Sequence, residues 1–348
     1  MDPDYKYPPD NHPKTKIVCT LGPSTDTEEI LLELVKSGMT VARLNMSHGD
    51  LETHKDTVRK VRKVSADSGM PIGLMVDIPG TKYRTGPLDP GAVNLQKGAL
   101  IVLTSNDVVG NQHRVSVSPV GLHRDAEPQG TVLVDDGNIE LVVTDVSEND
   151  VLCKVVRGGR LTQGRGVVTP GRSPSQEFPD AKAISCLEFA ASAEADFVAL
   201  STVTTGEDIR RARDILKKNG MKYPFLISKV ESKSGVKNLD QIIDHSDAIL
   251  IDRGDLSRQV LIEKIPFFQR RIVSCARAKD KDVFVATNLL ESMVMTKSPT
   301  RAEVNDIVST LLMGATGLVL AAETAIGNYP VECVEMIRKL SNQCDRWT

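Results

Sequence analysis

The sequence predicts an α/β protein, a (β/α)8 barrel with a small all-β lid domain inserted after the third strand. Three observations predict it. Eight short apolar runs are each trailed by a stretch of helical patterning, the mark of βα units and a parallel sheet. Between the third and fourth runs, from about Gly86 to Arg172, the pattern changes to short alternating runs punctuated by Gly, Pro, Asn and Asp, as in a separate β module. No GxGxxG fingerprint is present, so a closed barrel is preferred to a doubly wound sheet, the runner-up architecture.

Taken in order, Lys16–Leu21 reads as the first buried strand. Thr27–Ser37 places Ile30, Leu31, Leu34 and Val35 on one helical face, and Gly38 offers a stop. Thr40–Asn45 is the second strand, Leu51–Ala66 a charged helix and Ile72–Ile78 the third strand. In the insertion, Leu100–Leu103, Val132–Val134 and Ile139–Val143 are β-type runs. Alternation resumes near Phe178, with strands at Phe197–Leu200, Phe225–Val230, Ala248–Asp252, Val283–Thr287 and Gly317–Ala321. The expected domains are an N-terminal extension over 1–13, the barrel over 14–86 and 173–348, and the lid over 87–172.

Composition removes several function classes. Forty-three basic residues against 46 acidic give a net charge of −3 over 348 residues, which argues against nucleic acid and anionic membranes as partners. Aromatic residues are only 4%, leaving few stacking platforms for single strands. No apolar run approaches the roughly 18 residues of a membrane span, and the polar, proline-rich start has no secretory h-region. The six cysteines are widely spaced without a CxxC pair, as suits reduced thiols in a cytoplasmic enzyme.

In such a barrel the functional residues belong at the C-terminal ends of the strands. Arg43 stands there on the second strand, Asp77 on the third with Lys82 and Arg84 just beyond, Lys229 and Glu231 on the fifth, Asp255 on the sixth and Thr287 on the seventh. Glu231 and Asp255 come from adjacent strands and suit a shared hard divalent cation. Lys229 lies two residues before Glu231, on the same side, as a point charge for a phosphoryl group or an enolate. Arg43 and Arg84 offer planar forks for phosphate or carboxylate oxygens. These are the positioning and electrostatic parts of phosphoryl transfer. Gly159–Gly164 has phosphate-loop spacing, but Arg165-Gly166 follows where Lys-Ser/Thr is required, so that motif is set aside.

The segments KTKIVCTLGPS, SGMTVARLNMSHG, VDDG, SKVES, RGDL, LLESM, PTRAEVND and ETAIGNYP, in this order over about residues 14–345, resemble the pyruvate kinase family. The resemblance implies transfer of the phosphoryl group of phosphoenolpyruvate to ADP in glycolysis, with protonation of the enolate to pyruvate. It implies Glu231 and Asp255 as ligands of Mg2+ or Mn2+, and Lys229, Arg43, Arg84 and Thr287 as catalytic residues. Asn45, Ser47, Asp77 and Ile78 fall on the family's potassium site. Backbone amides near Arg253, Gly254 and Asp255, together with Thr287, would hold the substrate carboxylate. Pro23, Arg43, Asn45, His48 and Arg165 fall where the family holds nucleotide.

The chain also departs from the family pattern. Lys82 replaces a glutamate after the third strand, which implies an ammonium standing in for potassium. Arg165 replaces a lid lysine, Ala321-Ala322 a Ser-Gly, and Ser201–Thr204 the usual aromatic-basic pattern. Asp252 stands where alanine is usual, adding negative charge beside the cation and carboxylate sites. The family's C-terminal regulatory domain is expected to be absent, either by truncation or in a naturally short relative, and a homodimer through the barrel is the expected assembly. Two other readings stay open: a related enolate enzyme, such as a decarboxylase or aldolase of a pyruvate-type substrate, and a catalytically weak regulatory relative.

Overall fold

The computed structural model describes residues 15–135, 137–171 and 178–347. The expected extension over 1–13 and the expected lid boundary at 172 and 173 lie outside the described residues. Eight parallel strands close into a barrel: β1 (Lys16–Thr20), β2 (Val41–Asn45), β3 (Gly73–Ile78), β4 (Phe197–Leu200), β5 (Leu226–Val230), β6 (Ala248–Asp252), β7 (Asp282–Ala286) and β8 (Gly317–Leu320). β1 pairs with both β2 and β8, so no edge is left unpaired. Their buried, apolar character on both faces is what a helix-covered parallel sheet demands.

Local signals place the covering helices. Thr27 accepts a hydrogen bond from the Ile30 amide at the start of Glu28–Ser37, and Gly38 ends that helix at φ 126°. Asp50 caps Leu51–Ser68 by accepting from the Thr53 amide. One large core lies between the strands and these helices, built from residues such as Leu34, Leu74, Leu187, Ile249 and Ile337. His54 belongs to this layer. It is buried against Phe189, and its Nε2 meets the His48 carbonyl at 2.8 Å.

A second core fills the barrel itself, from Val18, Val41, Met75, Phe197, Ile227, Leu250 and Phe284. Phe197 meets Phe225 edge-on with centroids 5.3 Å apart. Phe284 lies over Gly317, where an added Cβ would come within 2.3 Å of its ring; glycine is what lets the aromatic ring fill the barrel. Successive side chains on a strand alternate between faces, so each inward position recurs two residues on. Met75 is followed by Asp77, Val41 by Arg43, Ala199 by Ser201, Ile227 by Lys229 and Leu250 by Asp252. The barrel interior is thus apolar below and charged in its top layer.

The lid is a closed barrel of seven short strands with its own apolar core. It begins earlier than the expected residue 87, because Tyr83–Thr85 already pairs with Gly166–Val168 and Arg114–Ser118. It is also not purely β: Leu122–Asp125 is one helical turn, with Asp125 accepting a 2.5 Å hydrogen bond from the Tyr83 hydroxyl. Among the described residues, no helix is long and apolar enough to cross a membrane.

Phe284→Ala should cost about 3–5 kcal/mol of stability by opening a cavity over Gly317; chemical denaturation would show this, and a loss below about 1 kcal/mol would contradict the packing described.

Candidate active site

The top layer of the barrel forms the floor of a hollow of about 810 Å3, roofed by lid residues that include Tyr83, Asp135 and Arg165. Lys229 is its centre. The side chain is 4% exposed, and its ammonium lies 3.2 Å from Glu231, 3.3 Å from Asp252 and 3.5 Å from Asp77. It donates to Ser201 Oγ at 3.0 Å, and Ser201 in turn donates to Asp77 Oδ1 at 3.1 Å. Burial opposes the charge on Lys229, yet Asp77, Glu231 and Asp252 outweigh it and hold the ammonium well above its usual range.

Arg43 lies beside this centre. Its Nε and Nη2 donate to Asp77 Oδ2 at 2.9 and 2.5 Å, and its Nη1 donates to Thr20 Oγ1 at 2.5 Å. Burial works against the Asp77 carboxylate, but Lys229 and Arg43 keep it below the ordinary range. Asp77 is therefore committed to cations from two other strands. The backbone carbonyl of Ile78 accepts from the Ser201 amide.

Glu231 is 3% exposed. Its Oε1 accepts from the Thr202 amide at 2.7 Å, while Oε2 receives no hydrogen bond, the Lys229 ammonium being close but poorly aligned. Thr202 holds its amide there from a left-handed backbone, φ 57°. Burial, with Asp255 and Asp252 adding to it against the pull of Lys229, pushes the Glu231 carboxyl up to about 7. Asp255 is the contrast. Lys82 donates to its Oδ2 at 2.8 Å and Arg258 to its Oδ1 at 3.0 Å. Burial would raise Asp255, but Lys82 first, and then Lys229 and Arg258, bring it down to about 2. One oxygen each from Glu231, Asp252 and Asp255 lies within 4.8 Å of the others. A buried carboxylate oxygen lacking a donor, inside a set of hard oxygen donors, fits a divalent cation.

The short helix Arg253–Ser257 starts at the end of β6, and Asp252 caps it, accepting from the Asp255 amide at 3.3 Å. The Gly254 amide donates to Thr287 Oγ1 at 2.7 Å. Both amides that were expected to hold a carboxylate thus already have an acceptor. Thr287, at φ 69°, is a β-branched residue in the left-handed region, a strain typical of functional loops. Arg253 does not line the hollow: its guanidinium turns to Asp306 at 2.6 Å and to the carbonyls of Thr287 and Asn288.

Other expected residues divide between the hollow and elsewhere. Asn45, Ser47 and His48 line it from the end of β2, and Arg84 lines it from the lid root, donating to the Gly164 carbonyl at 2.8 Å. Arg165 lines it while paired with Asp135 at 3.2 Å. Pro23 lies outside the lining, exposed at the start of a turn after β1. Ser201, Thr20 and Arg258 are site residues that sequence reasoning gave no role. The two-residue alternation from Val18 and Ala199 would have found the first two.

Comparisons with known proteins bear on the family and the fold. The family model described as the barrel domain of pyruvate kinase matches residues 12–334. The pyruvate kinase of Thermotoga maritima is 36% identical over 332 residues, covering 95% of this chain and 71% of its own length. That of Corynebacterium glutamicum is 38% identical over 327 residues, covering 94% and 69%. The crystal structure of a pyruvate kinase from Cryptosporidium parvum superposes with a TM-score of 0.92 at 33% identity, over 97% of this chain and 70% of that one.

Two outcomes follow from the charges alone. Asp77→Ala strips a buried partner from Arg43 and Lys229 and should cost about 3–5 kcal/mol in denaturant unfolding; a cost under 1 kcal/mol would refute the network. His48 is lowered from about 6.5, first by burial and then by Arg84, Lys182, Arg43 and Lys82. The folded state then holds the His48 proton more weakly than the unfolded chain does, so this residue's share of stability falls as pH drops through about 6.5. Ring titration by NMR should give a midpoint below 6.5, and a value at or above it would be inconsistent with that placement.

Proposed function

The chain belongs to the pyruvate kinase family, and on that premise we propose that the hollow between barrel and lid transfers the phosphoryl group of phosphoenolpyruvate to ADP, giving pyruvate and ATP. The observation that carries the proposal is the buried Lys229 ammonium set between Asp77, Glu231 and Asp252, a fixed positive charge at the floor of the hollow.

Glu231 and Asp255 would hold the divalent cation, Mg2+ or Mn2+. When bound, that ion neutralises negative charge on phosphoryl and carboxylate oxygens. Lys229 faces the position where charge builds on the transferring phosphoryl and on the enolate oxygen. Arg43 orients Asp77 and, through it, Lys229. The substrate carboxylate would take over the Gly254 and Asp255 amides, displacing Thr287 Oγ1 and Asp252 Oδ1 as acceptors. Thr287 Oγ1, no longer accepting from Gly254 but still donating to the Ala286 carbonyl at 2.6 Å, would then accept from and orient the water that protonates the enolate. On the lid side, Arg84 and Arg165 supply charge for nucleotide phosphates, while His48, at the end of β2, supplies a hydrogen bond without a charge of its own near pH 7.

Lys82 brings a fixed ammonium into the hollow, paired with Asp255 at 2.8 Å rather than with Asp77 of the potassium site, and its charge in place of a bound potassium ion is the basis for expecting activity without potassium. A homodimer would bury Leu261, Ile262 and Phe267, apolar side chains exposed at the start of the helix Ile265–Arg277. A lid whose charged residues face the floor favours phosphotransfer over an enolate lyase, which has no nucleotide to cover.

A coupled assay of pyruvate release from phosphoenolpyruvate tests this reading. Turnover should require both ADP and a divalent cation, Lys229→Met should lower kcat by at least about 100-fold, and sodium should replace potassium with little loss. Release that ignores ADP would select the lyase instead, and a strict potassium requirement would remove the role given to Lys82.

A further inference from the structure

Asp252 pairs with Lys229, an ammonium that Asp77 and Glu231 already supply with two carboxylates. Asp252 is 7% exposed and lies among other charged groups. Its Oδ2 lies 3.3 Å from Lys229, and its Oδ1 lies 3.5 Å from Thr287 Oγ1 and caps Arg253–Ser257. A helix of five residues gives little reason to bury a full negative charge for the cap alone; an uncharged Asn or Ser would serve as well.

We propose that Asp252 is a third carboxylate ligand of the divalent cation held by Glu231 and Asp255, so that the enzyme takes up the metal ion before substrate. Two independent observations support it. One carboxylate oxygen from each of the three residues lies within 4.8 Å of the other two. A hard cation that holds oxygens at about 2.1–2.6 Å spans pairs up to roughly 4–5 Å apart. Independently, Glu231 Oε2 is buried and receives no hydrogen bond, and its residue is 97% removed from solvent by a 3% exposure. That oxygen has the Lys229 ammonium 3.2 Å away as a charge but no donor aligned on it, so it keeps lone-pair capacity for a cation.

The charge balance points the same way. Asp255 already has Lys82 and Arg258 on its two oxygens, and Glu231 has the Lys229 ammonium 3.2 Å from Oε2. A site with only those two acids offers a cation little net negative charge until a substrate phosphate arrives. A third carboxylate raises the ligand charge, which is the variable that sets affinity in oxygen-donor sites. The inference rests on the assignment of Glu231 and Asp255 made above.

The test is Mn2+ binding to the substrate-free enzyme, read as free Mn2+ by electron paramagnetic resonance, with Mn2+ alone as the probe. Asp252→Asn keeps an acceptor for the helix cap but removes the charge. It should weaken Mn2+ binding by about tenfold or more, with a thermal midpoint in chelator equal to or above that of the parent. Asp252→Glu, which keeps the charge, should recover part of the affinity. If Asp252→Asn binds Mn2+ within twofold of the parent while Glu231→Gln abolishes binding, the cation site stands and the third ligand is refuted. If Glu231→Gln also leaves binding intact, the two-carboxylate assignment falls with it. A lowered midpoint for Asp252→Asn without any change in Mn2+ affinity would reduce Asp252 to a helix cap.

Discussion

The structure turns on one buried positive charge. Placing an ammonium at the mouth of an apolar barrel is unfavourable unless carboxylates meet it there, and Lys229 meets three, from the ends of β3 and β6 and from the residue just after β5. The remaining polar contacts follow from this demand. Asp77 has to be ionised, so Arg43 reaches across from β2 to hold it. Ser201 fills the gap between Lys229 and Asp77. Glu231 keeps one oxygen engaged by a loop amide and leaves the other without a hydrogen-bond donor. The result is a network that ties the ends of five neighbouring strands together and fixes the charges on the barrel floor.

The apolar pattern made the fold legible. The eight strands fall where short apolar runs predicted them, because a parallel strand covered by helices is buried on both faces and its composition shows it. The lid was legible as a change of rhythm, but its start was not. Tyr83–Thr85 looks like a tail of the third βα unit in sequence, and only its pairing with Gly166–Val168, eighty residues on, makes it a lid strand. The single helical turn at Leu122–Asp125 was hidden for a similar reason, since a Tyr–Asp contact across the lid stabilises it rather than any periodicity of its own.

For the site, residue types at strand ends were readable, whereas their partners were not. Lys229, Glu231 and Asp255 converge as expected in position, but the sequence does not say which acid an arginine will choose. Arg43 was expected to meet phosphate and is found bound to Asp77; Arg253 was expected near substrate and is found holding the β7 loop. In both cases a guanidinium satisfies acceptors at the end of the neighbouring strand, some thirty-four residues away in sequence, a matter that local pattern does not encode. His54 shows the same limit, for its polar sequence neighbours conceal a helix face turned to the core.

Lys82 immediately precedes the first lid strand while its ammonium rests on Asp255 of the barrel. The side chain is therefore a tether across the joint between two bodies. Any tilt of the upper body away from the barrel would have to stretch this tether and carry a positive charge off the floor. Access and polarity would then be geared to one another, the widest cleft being also the most negative.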